Sequence, residues 1–411
     1  MTDFVSTWNE ESFLTTPVAP LGLIAMRGTE DMGDKVNKWL LKWRKYTEET
    51  LPGDMSTTPG MGREDFLVRA TCPRFGNGEG KGLIKDSVRG LDLYILCDVG
   101  AYNCTYNMYG HEVPMSPDDH YMDLKRTIAA VGGKAKRITV IMPLLYGGRQ
   151  HRRSARESLD CALMLQELNR MGVNNIITFD AHDPRVVNAI PEGGFESVMP
   201  SYQIFKALLK RRKDLKLDKD HLMIVSPDEG ALDRNIFYAS VLGVDMGMFY
   251  KRRDYTRIVN GRNPIVAHEY MGKEVNGKDV FVADDILSSG ESMIEVAHRL
   301  KELGANRIFY RSKPLVNRIF SAVTFPLFTN GLDLYQKSYD EGLIDGVIST
   351  NLTYRTPELQ AAPWFIEADM SKYISYIIAT LNHDRSLSKL LSPYDRVHNL
   401  MNRYKQEQEQ G

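Results

Sequence analysis

The chain has 411 residues, of which 43 % are hydrophobic and 26 % are charged, an ordinary composition for a soluble globular protein with about two domains. Its 52 lysines and arginines balance 53 aspartates and glutamates, so charge gives no case for a nucleic-acid or membrane partner. The sequence shows no secretion signal, no stretch of about 20 apolar residues and no metal-type cysteine pair, so we expect a reducing, cytoplasmic location.

Strand, turn and helix alternate along the chain. The apolar run RITVIMPLLYGG, residues 137–148, predicts a strand, and apolar residues between Leu159 and Met171 recur at the spacing of a helix. Three further apolar runs end at DAHD, SPDEG and DDILSSG. Because these runs are continuous rather than alternating, they favour parallel strands with helices on both faces, an α/β fold.

Several stretches between these units are less regular. Residues 51–64 and 107–120 are rich in Gly, Pro, Ser and Asp and are predicted to be loops. Residues 206–221 form a charge run in which acids are interleaved, so a solvated helix and loop explain it better than a nucleic-acid patch.

A division near residue 195 gives a first domain of residues 1–195 and a second of residues 196–395. Residues 396–411 are predicted to be a tail whose end frays.

Polar residues follow each predicted strand, where open parallel sheets bind their ligands. In DDILSSG, a turn of small residues opens a helix and would offer backbone N–H groups to a phosphate. Asp284 and Asp285 could accept hydrogen bonds from sugar hydroxyls, directly or through a divalent cation. The alternative is a helix cap, which needs one acid rather than two.

A second cluster, GGRQHRRSAR, places four arginines after a Gly-Gly turn. Arginine offers forked donors that match phosphate oxygens, so the cluster suits a polyphosphate. The alternative is the exposed basic start of a helix, where cations oppose the helix dipole.

Three shorter clusters carry further chemistry. In FDAHD, His182 lies between two aspartates and could hold a divalent metal or contact a metal-bound phosphate. SPDEG supplies Asp228 and Glu229. YKRRDYTR supplies cations that could neutralise charge developing during phosphoryl transfer. The sequence contains no GxxxxGK[ST], which argues against a P-loop, and no GxGxxG or GxSxG.

In this order, the clusters resemble the ribose-phosphate diphosphokinase family, also called phosphoribosyl pyrophosphate synthetases. RFGNGE at residues 74–79 is similar to the family's RFxDGE, and GGRQHRR to its ARQDRR. FDAHD, SPDEG and DDILSSGES resemble its VDLHA, SPDxGG and DDxxDTGGT motifs, and KRR is intact. The resemblance spans roughly residues 70–380.

The resemblance implies a role for each matched residue. It implies ATP contacts, with the first three residues reaching a neighbouring subunit's ATP, for Phe75, Asn77, Glu79, Arg149, Gln150 and His151. It implies ribose 5-phosphate contacts for Asp284, Asp285, Ser288, Ser289, Gly290, Glu291 and Ser292. It implies a metal site at His182 and Asp228, and transition-state stabilisation by Lys251 and Arg253.

The activity implied is Mg²⁺-dependent transfer of the diphosphoryl group of ATP to O1 of ribose 5-phosphate. The implied fold is two phosphoribosyltransferase-like domains related by pseudo-symmetry, each a mainly parallel sheet flanked by helices, assembled into dimers and hexamers. Two alternatives are a phosphoribosyltransferase, which would not need the arginine, DAHD and KRR clusters, and a non-catalytic regulatory paralogue, which should have lost Lys251, Arg253 or His182.

The sequence departs from the family pattern at several positions. Ser288 and Asn77 replace acids, Phe325 stands where a histidine is usual, and about a dozen extra residues lie around 311–323. Glu291 replaces a glycine in the phosphate loop. Because a carboxylate facing the loop would repel phosphate, Glu291 is predicted to point outward.

Overall fold

The structure is a computed structural model that describes residues 16–50, 63–253, 265–303 and 318–409. The chain divides into two compact units. The first comprises Met1–Met199, Leu352–Tyr354 and Asp369–Ser392, and the second comprises Pro200–Asn351, Arg355–Ala368 and Pro393–Gly411. The chain therefore leaves the first unit at Met199 and returns to it twice.

Strands and helices alternate in the N-terminal half. In chain order they are β1 Leu21–Ala25, α1 Glu30–Thr50, β2 Ala70–Thr71, β3 Leu83–Ile84, β4 Asp92–Leu96, β5 Thr105–Met108, β6 His111–Pro114, α2 Pro117–Val131, β7 Arg137–Ile141, α3 Asp160–Arg170, β8 Asn175–Phe179, a 3₁₀ helix Pro184–Ala189 and β9 Gly194–Val198.

The alternation continues in the C-terminal half. The elements are α4 Ser201–Arg211, β10 Leu222–Ser226, α5 Leu232–Leu242, β11 Asp245–Arg253, β12 Ile265–Gly272, β13 Asp279–Leu287, α6 Glu291–Glu302, β14 Ile319–Pro326, α7 Asp333–Asp340, β15 Gly346–Thr350, α8 Pro357–Ala361, β16 Phe365–Ala368, α9 Ser371–Asn382, α10 Ser388–Leu391 and α11 Tyr394–Glu409.

The first unit is built on a five-stranded sheet in the order β1-β4-β7-β8-β9, and all its neighbouring strands are parallel. The second is built on a seven-stranded sheet in the order β12-β11-β10-β13-β14-β15-β16, parallel except where β12 pairs with β11. All residues of β4, β10, β14 and β15 are buried. Burial on both faces explains why these strands are continuous apolar runs, and the predicted α/β architecture is confirmed.

Helix α9 packs in the first unit, although it follows most of the second unit in the chain. The ring of Trp43 in α1 stacks on Tyr376 of α9 with centroids 4.4 Å apart. Asn382, at the end of α9, donates to the backbone oxygen of Ala19 and to Asp92 Oδ2, both at 3.0 Å. Aromatic stacking thus holds α9 against α1, and the buried hydrogen bonds of Asn382 hold its end against the first sheet.

The loop predicted over residues 107–120 is wrong. The segment contains the end of β5, the strand β6 and the first turn of α2. Positive φ angles at Tyr109 and Gly110 close the β5–β6 hairpin. Ser116 and Asp119 then form a reciprocal capping box that starts α2, so the same Gly, Pro, Ser and Asp residues mark a turn and a helix start.

The C-terminal tail is also more ordered than predicted, because helix α11 continues to Glu409. The Tyr404 hydroxyl donates to the backbone oxygens of Arg212 and Leu215, both at 2.9 Å. Gln408 Nε2 donates to the oxygen of Lys213 at 2.8 Å. These bonds to the segment after α4 fix a helix whose sequence alone is too polar to predict one.

Within the described ranges, no helix combines the length and the apolar character needed to cross a membrane.

Candidate active site

The strand order of the second sheet reverses beside β10. From β10 the chain passes through α5 to β11 on one side, whereas β13 lies on the other side and leads through α6 to β14. The parallel pairing of β10 and β13 ends at Val225 and Val282. The segments SPDEG and DDILSSG follow directly, at the carboxyl ends of these two strands. A reversal of this kind opens a crevice in which α/β proteins bind ligands.

Two carboxylates from β13 lie at this crevice. Asp285 is 5 % exposed, and its Oδ1 accepts the N–H of Ile286 at 2.9 Å. Asp284 Oδ1 accepts the N–H of Asp285 at 2.9 Å. Burial raises the pKa of Asp284 well above its ordinary value, the Asp285 carboxylate raises it further, and Arg234 lowers it in part. The pair is therefore an electrostatically unfavourable arrangement that a cation or hydrogen-bond donors would stabilise.

The turn after β13 has the geometry of an anion cradle. Gly290 is the N-cap of α6 with φ 83°, and among the described residues no side chain caps this helix. A Cβ at Gly290 would lie 2.3 Å from the ring of Tyr335, whose hydroxyl donates to the Gly290 oxygen at 3.2 Å. The buried tyrosine thus requires glycine here, and the first amides of α6 can receive phosphate oxygens.

The acid in this turn is held by an asparagine. Glu291 is exposed, and its Oε1 accepts a hydrogen bond from Asn330 Nδ2 at 3.2 Å. Asn330 lies just after β14, and the N–H of its neighbour Thr329 donates to the Ser288 oxygen at 2.9 Å. These contacts agree with the outward orientation predicted for Glu291.

The SPDEG turn is held by its own residues and by α5. Asp228 Oδ1 accepts the N–H of Ala231 at 3.2 Å, and the Ser226 hydroxyl donates to the Asp228 oxygen at 2.8 Å. The Asp228 carboxylate also contributes to the raised pKa of Asp284. The structure therefore brings three predicted acids together, Asp228 from one strand end and Asp284 and Asp285 from the next.

The arginine cluster of the first unit lies in a loop before α3, not at a helix start, because α3 begins at Asp160. The predicted alternative of a basic helix N-terminus is therefore wrong. Gln150 Nε2 donates to the Ser158 oxygen at 2.8 Å. Glu157 accepts the N–H groups of Ser154 and Ala155, which lower the pKa of its carboxyl together with the Ser154 hydroxyl and Gln150. Internal bonds thus shape the loop and leave Arg149 exposed.

The loop brings His151 beside the DAHD segment. The rings of His151 and His182 have centroids 5.2 Å apart, and His151 Nε2 lies 3.5 Å from Asp183 Oδ2. Asp183 also accepts from the Arg185 guanidinium, which is the main reason that its pKa falls to about 2. His151 Nδ1 is buried and has no hydrogen-bond partner within the described parts of the chain. His182 is exposed to solvent.

The RFGNGE motif forms an exposed turn. The Phe75 ring is 54 % exposed, its N–H donates to the Glu79 oxygen at 2.7 Å, and the Glu79 N–H donates to Asn77 Oδ1 at 3.2 Å. Arg74 holds the base of the turn through a 2.6 Å ion pair with Asp123. The turn therefore presents a large aromatic ring at the surface on a fixed backbone.

The KRR cluster falls at the end of β11. The backbone of this strand is described as far as Arg253, but the side chains of Lys251 and Arg253 lie outside the described part of the structure. Their roles stay predictions. Four residues of the site that sequence reasoning missed are Arg234, Asn235, Asn330 and Tyr335. Arg234 and Asn235 follow SPDEG closely, the only signal that could have identified them.

Both units thus have the α/β architecture of phosphoribosyltransferase-like domains. The solved structure titled "Crystal structure of phosphoribosylpyrophosphate synthetase from Mycobacterium smegmatis" has the same fold, with a TM-score of 0.66 and 20 % identity over 89 % of this chain and 99 % of that one. A family model described as the N-terminal domain of ribose phosphate pyrophosphokinase matches residues 23–172. A model of the phosphoribosyl transferase domain matches residues 195–310.

Similar proteins support the same assignment. The ribose-phosphate pyrophosphokinase of Shewanella oneidensis is 27 % identical over 331 residues, covering 79 % of this chain and 91 % of that protein. The protein of the same name from Ralstonia nicotianae is 29 % identical over 255 residues, covering 61 % of this chain and 72 % of that protein. The chain belongs to the ribose-phosphate pyrophosphokinase family. The predicted family and its two phosphoribosyltransferase-like domains are confirmed.

Proposed function

We propose that the protein is a ribose-phosphate diphosphokinase, which converts ATP and ribose 5-phosphate to phosphoribosyl diphosphate and AMP. The observation that carries this proposal is the switch point of the second sheet, where the acidic pair Asp284–Asp285 is followed by a glycine turn that opens α6. The first unit would bind ATP and the second ribose 5-phosphate.

On the ribose side, the carboxylates of Asp284 and Asp285 accept hydrogen bonds from the ribose hydroxyls. The 5-phosphate binds at the start of α6, where backbone N–H groups and the helix dipole favour an anion. The residues that surround it are Ser288, Ser289, Gly290, Glu291 and Ser292. Hydroxyls and amides from one continuous turn fit the three terminal oxygens of a phosphate ester.

The acids at the switch point fit Mg²⁺. This ion takes one or two protein carboxylates and completes its shell with phosphate oxygens and water. Asp228 and the Asp284–Asp285 pair supply such oxygens, and the pKa of Asp284 is raised first by burial and then by the neighbouring like charges, which a cation would offset. Among the described residues no group of three or more His, Cys, Asp or Glu side chains is arranged to hold a metal ion. The proposed ion would therefore be held by one or two of these carboxylates together with substrate phosphate oxygens, the coordination that Mg²⁺ commonly has. Bound Mg²⁺ supplies charge neutralisation at the phosphates.

In the reaction, O1 of ribose 5-phosphate attacks the β-phosphorus of ATP in line. The new O1–P bond forms as the bond from the β-phosphorus to the α,β-bridging oxygen breaks, AMP leaves with that oxygen, and the O1 proton is released. Lys251 and Arg253 stabilise the charge that develops, and the protein contributes mainly positioning and electrostatics.

On the ATP side, Phe75, Asn77 and Glu79 bind the adenine of a neighbouring subunit's ATP. Arg149, Gln150 and His151 bind ATP within their own subunit, and His182 lies at the metal-triphosphate site. This arrangement requires a homo-oligomer built from dimers, with a hexamer as the larger assembly. The exposed Phe75 ring on its fixed turn supports such a role, because stacking on a base needs an accessible aromatic face.

Phosphorus NMR of the purified protein with ATP, Mg²⁺ and ribose 5-phosphate tests the proposal. We expect AMP and phosphoribosyl diphosphate to appear together, and K251A to abolish both. Lys273, an exposed residue just after β12 that pairs with Asp245 of β11, provides a control, and K273A should retain activity. ATP binding without products would favour a regulatory paralogue. Product formation only with a nucleobase and phosphoribosyl diphosphate would favour a phosphoribosyltransferase.

A further inference from the structure

Asn235 of α5 is fully buried at the point where β10 and β13 separate. The two strands pair as far as Val225 and Val282, after which β13 continues beside β14 alone. The next residue of β13, Ala283, makes both of its remaining bonds to the Asn235 carboxamide. Nδ2 donates to the Ala283 oxygen at 2.8 Å, and Oδ1 accepts the Ala283 N–H at 3.3 Å. The side-chain amide thus makes the two hydrogen bonds with Ala283 that a neighbouring strand would make if the pairing continued.

The same carboxamide reaches the turn that carries Asp228. Its Nδ2 donates to the Ala231 oxygen at 2.7 Å and lies 3.3 Å from the Ser226 hydroxyl. Ser226 donates in turn to the Asp228 oxygen at 2.8 Å, and the Ala231 N–H donates to the Asp228 carboxylate at 3.2 Å. One buried side chain therefore links the turn of Asp228 to the residue that precedes Asp284.

We propose that Asn235 is a positioning residue that sets the distance between Asp228 and the Asp284–Asp285 pair. Carboxylates of like charge repel each other, so their separation depends on the backbone that carries them. A buried amide with all its bonds satisfied holds that backbone more rigidly than water would. The inference rests on the proposed function, since ribose 5-phosphate is the ligand that these carboxylates would bind.

Substitutions of Asn235 test the proposal by calorimetric titration of the full-length protein with ribose 5-phosphate in the presence of Mg²⁺. N235A removes the carboxamide, and N235D keeps its volume while it removes both N–H donors. We expect each to raise the Kd for ribose 5-phosphate at least tenfold and to change the Kd for ATP less than twofold. Circular dichroism identifies a temperature at which each variant is folded.

The matched control is Asn382, a buried asparagine of the first unit that, like Asn235, donates to a backbone oxygen; its second acceptor is the carboxylate of Asp92. N382A should lower the melting temperature about as much as N235A and leave the Kd for ribose 5-phosphate unchanged. A second test, S226A, removes only the hydroxyl between Asn235 and Asp228, and we expect it to raise that Kd about threefold.

Three outcomes separate the hypotheses. Selective loss of ribose 5-phosphate affinity in the Asn235 variants and in S226A supports the positioning role. Folded variants that bind ribose 5-phosphate within twofold of the wild type overturn it, and S226A decides the matter if neither Asn235 variant folds. A wild-type protein that does not bind ribose 5-phosphate at all overturns the proposed function instead.

Discussion

Arg234 Nη1 lies 3.6 Å from Asp284 Oδ1, so a cation from α5 faces the first acid of the β13 pair. The Arg234 side chain is 10 % exposed and that of Asp284 is 28 % exposed, which places their interaction in a partly desolvated crevice. Arg234 nevertheless offsets only part of the effect of burial and of Asp285 on the pKa of Asp284. The site without ligand therefore contains excess negative charge.

This excess charge predicts that D284N stabilises the protein while it abolishes activity. Because the folded-state pKa of Asp284 is raised, the wild type loses stability as pH rises from the unfolded value near 4 through the folded one. The free energy of unfolding of D284N should exceed that of the wild type by about 1 kcal/mol at pH 8 and by less at pH 5, as measured by urea unfolding. The control D233N removes an exposed acid of α5 next to Arg234 and should change this free energy by less than about 0.5 kcal/mol. Equal stability of D284N and wild type at both pH values would contradict the prediction.

The contribution of Asp183 to stability should depend on pH in the opposite direction. Its pKa falls to about 2, mainly through the hydrogen bond from Arg185, so its contribution is present above pH 4 and is lost as pH falls toward 2. D183N should lower the free energy of unfolding by about 1–2 kcal/mol at pH 7, with the difference shrinking below pH 4. Urea unfolding between pH 3 and pH 7 measures this.

Because Arg185 is 78 % exposed, solvent screens its pairing with Asp183. R185Q should reproduce part of the loss of D183N, and adding R185Q to D183N should cause little further loss. A full additive loss in the double variant would show that the two side chains act separately.

Replacing Glu291 by glutamine should improve the binding of ribose 5-phosphate. Glu291 is the first residue of α6, and although Asn330 holds its carboxylate outward, its negative charge would still disfavour a dianion bound at the start of this helix. Removing one charge at this range is worth about 1 kcal/mol, so E291Q should lower the KM for ribose 5-phosphate about fivefold and leave the KM for ATP unchanged. Steady-state kinetics measures both constants, and E295Q, one helical turn further from the cradle, is the control.

The hydrogen bond from Asn330 should determine how strongly the Glu291 carboxylate weakens the binding of ribose 5-phosphate. N330A releases the carboxylate and should raise the KM for ribose 5-phosphate, whereas the same change in an E291Q background should have no effect. An equal effect of N330A in both backgrounds would show that Asn330 contacts the substrate itself.

Removing the Phe75 ring should weaken ATP binding without destabilising the protein. Stacking of a base on an aromatic ring is worth about 1–3 kcal/mol, so F75A should raise the KM for ATP about tenfold or more. Because the ring is 54 % exposed, the melting temperature should hardly change. L83A, which removes another exposed apolar side chain of the first unit, should leave the KM for ATP unaltered.

The role of Phe75 across subunits can be tested by complementation. Neither F75A nor K251A protein should be fully active at limiting ATP, but mixed oligomers contain sites that combine an intact Phe75 from one subunit with an intact Lys251 from the other. Activity recovered after mixing and reassembly supports a shared site. No recovery in verified mixed oligomers would place Phe75 in its own subunit's site.

The sequence predicted much of this protein because strand ends and their turns are local features. The continuous apolar runs before DAHD, SPDEG and DDILSSG identified β8, β10 and β13, and the small residues after Asp285 identified the start of α6. Each of these patterns involves only residues that are neighbours in the chain. A strand that is buried on both faces of a sheet is visible in the sequence as a continuous apolar run.

Local rules also explain the errors. The Gly, Pro, Ser and Asp residues of 107–120 were predicted as a loop, yet those residue types also close hairpins and cap helices. Helix α11 was missed because its stability comes from contacts with the segment after α4 rather than from its own polar sequence.

The sequence by itself determined the fold class, the family and the order of the polar turns. Only the tertiary structure decided which of those turns lie together. It also decided that Asn235 bonds to the backbone of Ala283 where β10 and β13 separate, and that Asn330 donates a hydrogen bond to Glu291. These relations join residues 39 to 48 positions apart in the chain, and they depend on strand order and helix packing. No local pattern encodes them, because a side chain's partners across a sheet are set by the folding of the whole unit.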